Sequence, residues 1–125
     1  MKIFNEIKLA QELIRFPTVK TEDKGIMKFL SKKLTTIGFK CTIIKSKGTG
    51  PKPALNLYAR FGNSKLHINF LGHTDVVANL NNWKISPFKG VVKKGYLNGR
   101  GSQDMKGGVA CWISAVSNFI KKKKI

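Results

Sequence analysis

Residues 65–75 read KLHINFLGHTD. An apolar run ends there on a glycine, and a histidine and an aspartate follow two positions apart. Leu66 to Leu71 is apolar enough for a buried strand, so Gly72 to Asp75 would emerge at its carboxyl end. Ligand sites of open α/β sheets lie at that end of their strands. In extended chain, positions i and i+2 point the same way, which lets His73 and Asp75 face a common point. One imidazole nitrogen can then bind a metal while the other donates to the Asp75 carboxylate and fixes the tautomer. A bare His-x-Asp is a weak signal, and a polar turn with a chance histidine is its competing reading. His67 alternates with Leu66 and Ile68 and shares a sheet face with Asn69, so it reads as structural or exposed rather than as a ligand.

The segments before this run predict two helices and two further strands. Ile3, Ile7, Leu9 or Ala10, Leu13 and Ile14 recur at helical spacing, and Phe16-Pro17 ends that helix near Arg15. Thr21 with Glu22 and Asp23 resembles an N-cap with acids in the first turn. Ile26, Phe29, Leu30, Leu34 and Ile37 supply the apolar stripe that follows, and Gly38 is the stop. Phe39 to Ile44 and Ala54 to Phe61 read as strands, separated by the turn-rich KSKGTGPKP.

Downstream, a loop from Ala78 to Gly90 leads to Val91-Val92 and Tyr96-Leu97, with a turn at Lys94-Gly95. GGVACWISAVSNFI is apolar on nearly all sides and reads as a buried helix, with KKKKI solvating its end. Helices, then strands, then a helix predict a mixed α/β layer architecture, a sheet flanked by helices.

Composition excludes several classes. The 125 residues carry a formal charge of +18, which suggests nucleic acid as a partner. Arginine, however, stands only at 15, 60 and 100, leaving 21 scattered lysines. Phosphate-clamping and base-reading surfaces recruit the bidentate guanidinium, so specific nucleic-acid binding is not expected, and a basic nucleic-acid-associated protein is kept as the alternative. Cys41 and Cys111 form no Cys-x-x-Cys pair and read as two reduced thiols. Glu6 and Glu12 interrupt any signal-peptide core, and no stretch reaches the ~20 apolar residues of a membrane span. A cytoplasmic location without a membrane partner is expected.

The acids then locate the chemistry. After Asp23, only Asp75 and Asp104 remain, and both fall in glycine-marked segments after an extended run. NGRGSQDMKGGVA sets Asp104 among four glycines just before a helix, where glycines permit close backbone approach. A phosphate loop would need the Walker or Gly-x-Gly-x-x-Gly spacing, and neither is present.

Taken together, GHTDVV (72–77), WKISPF (83–88) and GRGSQDMKGG (99–108) resemble the amino-terminal third of the dinuclear zinc aminoacylase and carboxypeptidase family, the M20 type. The likeness runs from IRFPTVK (14–20) to the helix after Gly108. Within the family, the GRG before Asp104 favours members that hydrolyse N-succinyl-LL-2,6-diaminopimelate to succinate and LL-diaminopimelate, in lysine and cell-wall precursor synthesis. Another deacylase or peptidase of the family is the runner-up.

The resemblance implies His73 as a ligand of one zinc, Asp75 as its orienting carboxylate and Asp104 as the carboxylate bridging both zincs. It also implies a cis peptide between Asp104 and Met105. Zinc, or cobalt in its place, is the implied cofactor, two ions per complete site, and an N-acyl amino acid the implied small-molecule substrate. By the same resemblance, the general-base glutamate, further carboxylate ligands and a late histidine lie beyond Ile125. Residues 1–125 are therefore expected to be the amino-terminal part of a zinc-exopeptidase-like catalytic domain. The inserted dimerisation domain and carboxyl-terminal part are expected to be absent. Such a chain is expected to be inactive alone, with no family homodimer and with a separately encoded complementing half as a partner.

Overall fold

The computed structural model describes residues 3–47, 52–78 and 80–123. Parts of the 45–53 turn, of the 78–90 loop and of the final lysine run lie outside the described residues. Element order is α1 (Glu6–Ile14), α2 (Ile26–Thr35), β1 (Lys40–Ser46), β2 (Ala54–Arg60), β3 (Val91–Lys93), β4 (Tyr96–Asn98) and α3 (Lys106–Lys123). The mixed α/β class is as expected.

Helix α1 begins later than its apolar spacing suggests, because Asn5 caps it by accepting from the Lys8 amide. Leu9, Ala10, Leu13 and Ile14 form its buried stripe. Thr21 does not cap α2. The helix starts at Ile26 behind Gly25, whose φ of 90° suits glycine. Asp23 does the capping work instead, its carboxylate accepting from the amides of Gly25 (2.7 Å) and Met27 (3.1 Å). Gly38, with φ of 95°, turns the chain out of α2 as expected.

β1 and β2 pair antiparallel, from Lys40 opposite Arg60 to Ser46 opposite Ala54. β3 and β4 form a second antiparallel pair around the Lys94-Gly95 turn. The strand expected over Leu66–Leu71 is not formed, and the expected burial is reversed. Leu66, Ile68 and Leu71 are 89, 95 and 93 % exposed. The run finds no ladder partner among the described residues, and an apolar sequence does not make a strand without one. Only Phe70 is partly anchored, its ring stacked on Trp112 at 4.9 Å.

Helix α3 is buried along one stripe rather than on all sides. Lys106, Val109, Ala110, Ile113, Ser114, Ser117 and Ile120 face inward, while Cys111 and Phe119 are exposed. That stripe packs on α1. Ser117 Oγ accepts from the Phe4 amide at 3.2 Å, and Ser114 Oγ donates to the Phe4 carbonyl at 2.7 Å, so the chain before α1 is held by two hydroxyls. Phe39, Phe61 and Trp112 extend the core toward the β1–β2 pair through tilted ring contacts. Both cysteines are free thiols. No helix among the described residues is long and apolar enough to cross a membrane.

Candidate metal centre

Two segments far apart in sequence meet at one rim. The first is 72–77, which leaves the exposed run and is fastened to the segment after α1. Val76 donates its amide to the Thr18 carbonyl at 2.9 Å, and Lys20 donates to the Val76 carbonyl at 3.1 Å, a single parallel bridge. Buried Thr18 also donates its hydroxyl to the Thr74 carbonyl. These bonds fix the backbone on both sides of Asp75. The PTV of residues 17–19 therefore positions the site, a role its sequence alone does not disclose.

The second segment is 99–106, a chain of turns leading into α3. Gly101 has φ of +85°, and a Cβ there would stand 2.9 Å from Val76 Cγ1, so a side chain would push the two segments apart. A Cβ at Gly107 would strike the Ser102 carbonyl oxygen. The Asp104–Met105 peptide is cis. Lys106, next along, is fully buried, and its Nζ donates to the Phe16 carbonyl at 2.7 Å. Burial holds its pKa down to about 8 against the usual 10.5, while the Asp75 carboxylate pulls it up. Sequence reading missed this lysine among 21, though its place two residues after Asp104 was the available signal.

At the rim, His73 Nε2 lies 2.9 Å from Asp104 Oδ1 across 31 residues of sequence. His73 Nδ1 lies 3.2 Å from the Asp75 carbonyl oxygen and 3.4 Å from Asp75 Oδ1. Asp75 thus meets the imidazole with its backbone as closely as with its carboxylate. Oxygen acceptors stand at both ring nitrogens. A neutral imidazole carries one N–H, so with Nδ1–H directed at Asp75 the Nε2 lone pair faces the Asp104 carboxylate. A cation between the last two would satisfy both.

The spacing tests that idea. Two ligands of one zinc, at bond lengths of about 2.0–2.1 Å and the tetrahedral angle, stand about 3.3 Å apart. His73 and Asp104 need open by only a few tenths of an ångström to match it. A catalytic zinc usually takes three protein ligands. Among the described residues, no group of three or more His, Cys, Asp and Glu side chains is arranged to hold a metal. The chain therefore offers a fitting pair of donors without a complete set. The rim opens to solvent, Asp104 being 84 % exposed in its side chain. Beside it lies a cleft of about 320 Å³ between His73, Trp83, Arg100 and Asp104, with the Arg100 guanidinium 5.2 Å from the Trp83 ring centre. His67 takes no part and is exposed beside the Lys65 carbonyl.

Residues 70–124, which hold both rim segments, match the family described as peptidase family M20/M25/M40. The chain's likeness extends over nearly the full 125 residues to a succinyl-diaminopimelate desuccinylase of Pelagibacter ubique, 52 % identical over 99 % of this chain and 33 % of the relative. A second desuccinylase, of Bradyrhizobium diazoefficiens, is 43 % identical over 88 % of this chain and 29 % of its own length. The chain thus spans about a third of the length of the curated relatives it matches. Human carnosine dipeptidase 1 shares the fold with a TM-score of 0.78 over 94 % of this chain and 28 % of that protein, at 22 % identity. An M20 metallo-carboxypeptidase of Sulfolobus solfataricus does so with a TM-score of 0.71 over 98 % and 29 %, at 20 % identity. The expected resemblance to the M20 family is borne out.

Proposed function

We propose that this chain carries the His73, Asp75 and Asp104 portion of a metal-dependent amide hydrolase of the desuccinylase type. Its substrate is N-succinyl-LL-2,6-diaminopimelate and its products are succinate and LL-diaminopimelate. The observation that carries the reading is the 2.9 Å approach of His73 Nε2 to Asp104 Oδ1 from two segments 31 residues apart. The names of the relatives at 52 and 43 % identity support desuccinylation over the other acyl or peptide specificities of the family. The same likeness turns the reading away from nucleic acid.

Within this portion, His73 and Asp104 are the metal donors and Asp75 sets the imidazole by accepting from Nδ1. Trp83 and Arg100 wall the neighbouring cleft, where an acyl amino acid would lie. Zinc, when bound, would polarise the amide carbonyl and lower the pKa of a water molecule. Asp75 and Asp104 are both engaged with His73, so neither is placed to act as a free general base. The remaining donors and that base are contributed from outside these 125 residues, and residues 1–125 are the amino-terminal part of the catalytic domain.

Zinc titration by calorimetry tests the donor assignment. His73→Ala should lower zinc affinity by roughly tenfold or more while His67→Ala leaves it unchanged. Equal binding by wild type and His73→Ala would overturn it. The purified chain should release no succinate from N-succinyl-LL-2,6-diaminopimelate, and steady release would refute the need for outside residues.

A further inference from the structure

Lys106 is the bulkiest of the fully buried side chains among the described residues, and taking an ammonium out of water is costly. Its acceptor does not need it. The Phe16 carbonyl that accepts from Lys106 Nζ at 2.7 Å also accepts from the Thr18 amide at 2.8 Å, so an apolar side chain of equal length would orphan nothing there. What the ammonium adds is a tether. The Lys106 amide donates to the Gly101 carbonyl at 2.8 Å, and the lysine stem runs beside Gly101, where a Cβ would stand 3.2 Å from Lys106 Cδ and 2.9 Å from Val76 Cγ1. From there Nζ reaches Phe16, at the head of the segment that holds the other side of the rim. Thr18 donates its hydroxyl to the Thr74 carbonyl and accepts from the Val76 amide, and Lys20 donates to the Val76 carbonyl at 3.1 Å. The two rim segments are thus joined beneath the surface as well as at His73 and Asp104. Those two side chains are 47 and 84 % exposed, so their own contact competes with water and supplies little rigidity. The link through Lys106 is buried and keeps its strength.

We propose that Lys106 is a positioning residue of the metal centre, fixing the separation of His73 and Asp104 by tying the start of α3 to the 16–20 segment that carries Thr74 and Val76. The inference rests on the reading above that His73 and Asp104 are metal donors. Charge alone predicts the reverse of what positioning predicts. A cation beneath a cation site repels the metal, so removing it would tighten zinc binding if the lysine did nothing else. If the lysine holds the donors, removing it weakens zinc binding.

The test uses the 125-residue chain, first without metal. Nuclear Overhauser contacts between the His73 ring protons and the Asp104 β-protons report the separation directly. Wild type should show them, and Lys106→Met should lose them while the chain stays folded by its melting curve. Thr18→Val, which frees the Thr74 end of the same link, should weaken them too, and it decides the matter if the methionine variant does not fold. Lys33→Met removes another partly buried lysine, bonded to Glu12 at 2.8 Å between α1 and α2, and should leave the contacts intact. Zinc titration by calorimetry should then show roughly tenfold weaker binding in Lys106→Met and no change in Lys33→Met. Contacts that persist in a folded Lys106→Met or in Thr18→Val, or zinc binding that tightens in Lys106→Met, would overturn the positioning role. Contacts absent from wild type would overturn it together with the donor assignment. Contacts that respond as expected in a chain that takes up no zinc leave the positioning role standing and count against the donor assignment alone.

Discussion

Raising the pH from 7 to 9 should stabilise this protein through one buried side chain, and Lys106→Met should remove that part of the gain. Lys106 is enclosed beneath the rim and holds its proton with a pKa of about 8, against 10.5 for the ordinary side chain. Between those values the unfolded chain binds more protons than the folded one, so unfolding free energy rises with pH. Below both values the buried ammonium weakens the fold by its full desolvation cost. Linkage between 8 and 10.5 makes the gain from pH 7 to 9 on the order of 1 kcal/mol, and larger by pH 10. Methionine has similar length and no charge. The Phe16 carbonyl would not be orphaned, because the Thr18 amide still donates to it at 2.8 Å. The net charge of +18 also falls as pH rises, which relieves repulsion in both proteins. The informative quantity is therefore the difference between wild type and Lys106→Met. Urea unfolding followed by the fluorescence of Trp83 and Trp112 at pH 7, 8 and 9 measures it. Parallel pH slopes for the two proteins would show that Lys106 is not held at a lowered pKa.

Three further outcomes follow from packing. Gly107→Ala should destabilise the fold by about 1–3 kcal/mol, since its methyl would meet the Ser102 carbonyl, and a thermal melt reads this directly. Asp23→Ala removes the acceptor for the Gly25 and Met27 amides and should cost about 1 kcal/mol, with faster amide exchange confined to the first turn of α2. Ser117→Ala removes the hydroxyl that accepts from the buried Phe4 amide and should cost about 1 kcal/mol in urea unfolding, whereas Ser31→Ala, which removes only a partly exposed hydroxyl from α2, should change little.

Local chemistry was enough to read most of the elements. The 3.6-residue spacing in α1 and α2, the apolar composition of α3, the Phe16-Pro17 stop and the Gly38 turn all act within a few residues, so sequence alone exposes them. The candidate site was legible for a different reason. In a chain with six acids, two aspartates beside glycines at strand-like ends stand out, and their meeting at 2.9 Å needed only that both segments reach one rim.

What tertiary structure decided were the properties that depend on distant partners. Leu66–Leu71 has the composition of a buried strand, yet strand and burial both require a neighbour, and none of the described residues provides one. Lys106 reads like any other lysine until folding buries it against the Phe16 carbonyl. Thr18 gains its importance only when Thr74 and Val76 arrive alongside. Helix α3, apolar almost all round by composition, buries one stripe because α1 covers one side. A residue's period is written in its neighbours along the chain, but its burial and its hydrogen-bond partner are set by what folds against it.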